Sequence, residues 1–173
     1  MAKKLPIRKA NRLPDYDYST AGYYFVTINI KDKSNHFGDV IDGKMKLNGV
    51  GMIADHYWEQ IPDHYTNVKL DEYVIMPNHI HGIIIISGVK RTAQCAVPTD
   101  NRQEKRHNRL STVIRTYKTL TGREIRKTGK SPDFTWQRSF YDHVIRNNEA
   151  LMIARQYIQD NPLKWHLDEY FAE

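Results

Sequence analysis

Residues 23–30 (YYFVTINI) are aromatic and β-branched, with Thr27 and Asn29 on one side and Val26, Ile28 and Ile30 on the other, which predicts a strand. Residues 36–47 hold Asp42-Gly43 between two short alternating runs, the pattern of a tight hairpin. The period then lengthens. Ile53, Tyr57, Trp58 and Ile61 recur at helical spacing over 50–61, and Pro62 is expected to end that helix. Residues 68–76 and 79–87 are the most apolar part of the chain and read as two strands. Only Pro77 and Asn78 separate them, so they should be antiparallel neighbours. Residues 110–127 place Leu110, Val113, Ile114, Tyr117, Leu120 and Ile125 on one helical face. Residues 136–145 look extended, and 147–161 form a last helix that Pro162 should stop. The polar, aperiodic stretch 88–108 is expected to be a mobile surface loop, long enough to have a functional role. The order of elements predicts a ferredoxin-like α+β fold: an antiparallel sheet carrying helices, an early hairpin insertion and an appended C-terminal helix.

At 173 residues the chain fits one domain, taken as 23–173 behind a basic tail, 1–22. A hydrophobic content of 40% can fill a core and argues against a disordered protein. No apolar run approaches the length of a membrane span. The basic start has no apolar stretch behind it, so a secretory signal is not expected and the cytoplasm is the expected compartment. Cys95 is the only cysteine, which excludes an internal disulfide and a thiolate-rich zinc site; a metal would bind through nitrogen and oxygen.

The net charge of +6 is unevenly spread. Residues 1–14 carry Lys3, Lys4, Arg8, Lys9 and Arg12 with no acid, and residues 102–130 carry a net +8, leaving −7 for the rest. Either basic segment alone reads as a solvated surface. Two of them, in a chain with 11 tyrosines and 3 tryptophans able to stack on bases, point toward a nucleic acid.

His79-Ile80-His81 opens a strand, so both imidazoles project from one face and could hold a divalent ion if oxygen ligands completed its shell. Two hydrogen-bonded histidines at a strand end are the commoner outcome of such a pair taken alone. Tyr157 and Asn161 lie one turn apart on the last helix. They could serve as a phenol nucleophile and an amide-oxygen ligand, or as parts of an ordinary apolar face (Ile153, Tyr157, Ile158) and helix end. Tyr117, on the apolar face of the most basic helix, is a competing nucleophile. Its companion one turn on, Thr121, is a poorer metal ligand than Asn161.

These residues carry a resemblance. Gly22 to Thr27 (GYYFVT), Val74 to Gly82 (VIMPNHIHG), Trp136-Gln137-Arg138, Tyr141 to Arg146 (YDHVIR) and Tyr157 to Pro162 (YIQDNP) resemble the REP-associated tyrosine transposases. Those are relatives of the single-tyrosine transposases of small bacterial insertion sequences, within the HUH endonuclease superfamily. The resemblance covers nearly the whole chain. It implies that His79, His81 and Asn161 bind Mg²⁺ or Mn²⁺, and that Tyr157, rather than Tyr117, is the nucleophile of a single-stranded DNA endonuclease and strand transferase working through a 5′-phosphotyrosine. It implies hairpin-forming palindromic repeats as the DNA partner, no membrane partner, a bacterial nucleoid-associated protein, and a monomer or homodimer. The cations expected to contact DNA are Lys3, Lys4, Arg8, Lys9, Arg12, Arg115, Lys118 and Arg123, with Arg138, His143 and Arg146 beside them. Two other classes compete: a non-catalytic single-stranded nucleic-acid-binding module of ferredoxin-like fold, which needs no metal, and a hydrolase whose histidines activate water.

Overall fold

The computed structural model describes residues 20–88 and 110–171. The expected tail cations Lys3, Lys4, Arg8, Lys9 and Arg12, Cys95 and nearly all of the expected loop 88–108 lie outside the described residues. The strands are β1 (Gly22–Asn29), β2 (Gly38–Ile41), β3 (Lys44–Leu47), β4 (Val68–Ile75), β5 (His79–Ile86) and β6 (Tyr141–Ile145). The helices are α1 (Gly49–Glu59), α2 (Ile61–His64), α3 (Leu110–Lys127), α4 (Asn148–Asp160) and a closing 3-10 helix (Pro162–Leu167). The main sheet runs β4-β5-β1-β6 with every neighbouring pair antiparallel, and β2-β3 is a separate hairpin. This is the expected ferredoxin-like order.

Strand β5 (HIHGIIII) is buried on both faces, as its nearly continuous apolar run requires. Ile80, Ile84 and Ile86 join Tyr24, Val26 and Ile28 of β1 in the main core with Val50, Ala54 and Trp58 of α1 and Val113, Ile114 and Tyr117 of α3. The opposite face forms a smaller cluster in which Ile83 and Ile145 meet Leu151 and Ile158 of α4. Asn48 starts α1 by accepting from the backbone N–H of Val50 (2.8 Å) and Gly51 (3.0 Å). The β2–β3 turn has Asp42 at φ 52° and Gly43 at φ 69°, the left-handed pair a two-residue hairpin needs. Gly82 is small for another reason: a Cβ there would collide with the Trp58 ring of α1. Gly82→Ala is therefore expected to cost about 1–3 kcal/mol in denaturant unfolding through overpacking.

Three expectations about element ends change. The first helix ends at Glu59 and Pro62 sits in the opening turn of α2, where its missing N–H has no partner to lose. Pro162 likewise opens the 3-10 helix, so the α-helix stops but the chain keeps coiling to Leu167. The expected strand over 136–145 survives only as Tyr141–Ile145 and an isolated bridge between Trp136 and Ile30. Between Gln137 and Tyr141 the chain takes four steps against the two from Asn29 to Thr27 on β1, so the ladder breaks there, and Lys118 holds the irregular stretch. Its ammonium donates to the carbonyls of Gln137 (2.9 Å) and Ser139 (2.8 Å).

Candidate active site

Alternation along β1 puts Phe25, Thr27 and Asn29 opposite the main core, and the register sets Thr27 against His81 and Asn29 against His79. Both histidines thus share one sheet face, as expected. Both are buried, and their Nε2 atoms are 3.0 Å apart. Asn78 decides what His79 can do. Its Nδ2 donates to the carbonyls of Lys33 (2.9 Å) and Tyr170 (2.7 Å), so its Oδ1 must face His79 Nδ1, 2.9 Å away, and can only accept there. The proton of neutral His79 therefore sits on Nδ1, and its Nε2 presents a lone pair. His81 Nδ1 meets the Thr27 hydroxyl at 2.9 Å, a partner able to donate or accept. This is the outer-shell arrangement that orients imidazoles toward a metal.

The closing 3-10 helix turns the chain back across the pair. Asp168 arrives with a carboxylate oxygen such that its ligand atom and those of His79 and His81 all lie within 4.8 Å of one another. Asn161, also buried, donates from Nδ2 to Asp168 Oδ2 (3.3 Å), while its own Oδ1 is buried with no hydrogen-bond partner among the described residues. Two imidazole nitrogens, a carboxylate and an orphaned amide oxygen make a donor set suited to a divalent ion that takes nitrogen and oxygen. The 3.0 Å spacing of the two Nε2 atoms fits as well. Ligand bonds of about 2.1 Å meeting at a right angle span about 3.0 Å, against about 3.4 Å at a tetrahedral angle. The sequence reading had missed Asp168, because it follows Pro162, where no further helical turn was expected.

Tyr157 is half exposed, with its hydroxyl 3.5 Å from His81 Nε2 and its ring edge-on to His81 and Phe25. Burial pushes its phenol pKa up, the charges of Asp168 and Glu169 add to the rise, and Asn161 opposes it. The plain apolar-face reading of this helix fails: Ile153 is 64% exposed and Tyr157 47%, whereas Leu151 and Ile158 do the packing. Ile153 and Tyr157 instead line a cleft of about 470 Å³ with Phe25, His81, Tyr141 and Tyr170. Tyr117 belongs to the other side of the sheet. Its hydroxyl donates to the Ala54 carbonyl (2.9 Å), its ring stands edge-on to Trp58, and burial drives its pKa far up.

The structure does not gather the expected DNA contacts in one place. His143, exposed on β6, lines the Tyr157 cleft. Arg115, Lys118 and Arg138 line a second cleft of about 770 Å³ between α3 and the segment before β6. Arg123 and Arg146 are exposed and line neither. Helix α4 is held to its own sheet by a two-point ion pair. Arg155 Nε and Nη2 donate to Asp71 Oδ1 (2.8 Å) and Oδ2 (2.6 Å) on β4, where the strand register slips between Leu70 and Tyr73.

Burial holds both imidazoles below the ordinary histidine range, His81 at about 3 and His79 well below its usual value with His81 adding to the depression. Each stays neutral in the folded protein but takes a proton near pH 6.5 when unfolded. Stability of the metal-free protein should therefore be complete above about pH 6.5 and fall toward pH 3, by up to about 1.4 kcal/mol per pH unit per histidine. Denaturant midpoints at pH 7.5 and 5 check this, and an unchanged midpoint would contradict it.

The antiparallel ferredoxin-like sheet thus carries a buried histidine pair on one face, with Tyr157 of α4 set against it. The solved structure of a REP-associated tyrosine transposase bound to a REP hairpin superimposes with a TM-score of 0.60. The match covers 94% of this chain and 77% of that one at 17% identity, so the likeness is one of fold. A Haemophilus influenzae protein described as uncharacterized is 37% identical over 172 residues, which cover 96% of this chain and 94% of its own length. The chain belongs to the same family as that protein, and its fold is the one the REP-associated tyrosine transposases use. No family model matches. Among the described residues no helix is long and apolar enough to cross a membrane.

Proposed function

We propose that this chain is a divalent-metal-dependent endonuclease and strand transferase of single-stranded DNA, acting at hairpin-forming palindromic repeats with Tyr157 as nucleophile. One observation carries the reading: Tyr157 lines a solvent-reached cleft with its hydroxyl beside paired histidine nitrogens, near a carboxylate and an amide oxygen that has no partner among the described residues. The REP hairpin bound in the structural neighbour supports the choice of DNA.

In this reading His79, His81 and Asn161, joined by Asp168, hold Mg²⁺ or Mn²⁺. The ion, when bound, supplies positive charge that makes the phenol easier to deprotonate and offsets charge building on the phosphate. Tyr157 Oη attacks phosphorus in line as the bond to the 3′ oxygen breaks. That oxygen takes up a proton and leaves as a 3′ hydroxyl, and Tyr157 keeps the 5′ phosphate. A 3′ hydroxyl from another strand reverses the step, frees the phenol and completes strand transfer. Phe25 and His81 fix the phenol ring at edge contact, while Asn78 and Thr27 keep the imidazoles aimed. Residues 23–173 act as one catalytic domain, with the cations of 1–22, His143, Arg138 and Arg146 positioning DNA. Because α4 is docked on its own sheet through Asp71 and Arg155, one chain holds a whole site.

The test is to incubate the protein with labelled single-stranded hairpins from palindromes beside its own gene, with Mg²⁺ or Mn²⁺, and to run denaturing gels. The expected result is a denaturant-resistant protein–DNA adduct that EDTA abolishes. Cleavage without an adduct would transfer the reaction to water, and binding without cleavage across several hairpins would leave only a binding module.

A further inference from the structure

The second cleft, between α3 and residues 135–140, is built around a cation with no counter-ion among the described residues. The Lys118 ammonium is tied to two backbone carbonyls and lies 5.7 Å from the centre of the Phe140 ring. Burial draws its pKa down to about 8. Enclosed charges are normally matched by an opposite charge, because desolvation is otherwise uncompensated. None of the residues described as lining this cleft is acidic, while Arg115, Arg126 and Arg138 line it beside Lys118. Arg126 is engaged by the Phe134 carbonyl. Arg115 and Arg138 are exposed and show no ion pair among the described residues.

We propose that this cleft is a second DNA subsite that takes one phosphodiester and its base from the unpaired strand flanking the cleaved bond. The assignment rests on the DNA reading above and adds where that strand runs. The phosphate is the missing anion, held by Lys118, Arg115 and Arg138. Phe140, only partly buried, supplies aromatic surface for a base, an interaction tolerant of sequence, whereas Trp136 is held in the core against Phe37, Phe134 and Tyr117. Phe140 directly precedes Tyr141, the first residue of β6, which lines the Tyr157 cleft. A strand passing around the β6 edge of the sheet therefore reaches both clefts, with the held nucleotide a few units from the scissile phosphate.

The experiment measures binding alone, with a Tyr157→Phe background so that no strand is cut. Fluorescence anisotropy is recorded with hairpin oligonucleotides carrying a single neutral methylphosphonate linkage, moved one position at a time along the unpaired flank. At one position the neutral linkage is expected to weaken binding about tenfold. The same linkage should have no further effect in Arg138→Ala or Arg115→Ala, and Arg138→Ala should lower the salt slope of binding by about one. Lys118→Met is a supporting variant only, since Lys118 also holds residues 137–139 in place. Additive losses at every linkage would overturn the proposal, as would an absence of any sensitive position, or competition by free 5′-dAMP as strong as that by the oligonucleotide. Loss of the adduct assay would remove the nucleophile and leave this binding result standing, so the two failures are distinguishable.

Discussion

Tyr157→Phe is expected to eliminate the covalent adduct and to lower strand cleavage by at least about 10³-fold, because its hydroxyl is the one that, among the described residues, lies beside His81 Nε2, 3.5 Å away. Hairpin affinity should stay within about threefold, since the ring and its contacts with Phe25 and His81 remain. The paired control is Tyr117→Phe. It removes a buried hydroxyl that donates to the Ala54 carbonyl, an oxygen inside α1, so it should cost about 1 kcal/mol of stability. The adduct should persist in Tyr117→Phe below its melting temperature. If Tyr117→Phe abolished the adduct and Tyr157→Phe did not, the site would have to be moved to the other side of the sheet, against the burial of Tyr117.

Removing either histidine is the second large effect. His79→Ala and His81→Ala are each expected to lower Mn²⁺ affinity by at least about 10²-fold, and adduct formation with it, read by metal titration without DNA and by the gel assay with it. Because His79 lies in the packed interior, circular dichroism must first show that each variant folds. Asn78→Ala provides an independent reading. The Asn78 side chain is outside the proposed ligand set, yet it fixes the His79 tautomer, and loss of such an outer-shell partner costs about 10–100-fold in metal affinity. Normal metal affinity in Asn78→Ala would contradict the orienting role assigned to it.

Much of this molecule was legible in one dimension because local physics repeats along it. The two-residue period of β1 separated Val26 and Ile28 from Thr27 and Asn29, and the 3.6-residue stripe of α3 placed Leu110 through Ile125 and the helix's end at Lys127. The adjacency of His79 and His81 followed from the same alternation. Other features depend on partners distant in sequence. Trp136 to Ser139 look like a strand until their register with β1 breaks and Lys118 takes the carbonyls of Gln137 and Ser139, and Pro162 looks like a stop until the chain resumes as a 3-10 helix.

The sequence by itself determined the sheet order's ingredients, the shared face of the two histidines, and the one-turn spacing of Tyr157 and Asn161, all consequences of backbone periodicity. Only the tertiary structure decided which tyrosine of α3 and α4 meets the histidines, that Asp168 joins them, that Asn78 fixes a lone pair on His79, and that Lys118 faces an open cleft with no counter-ion among the described residues. Side-chain direction within one element is set by its period. Meeting across elements is set by how α4 and the closing turn pack on the sheet, and that packing is fixed by Ile83, Leu151, Ile158 and the Asp71–Arg155 pair together rather than by any local signal.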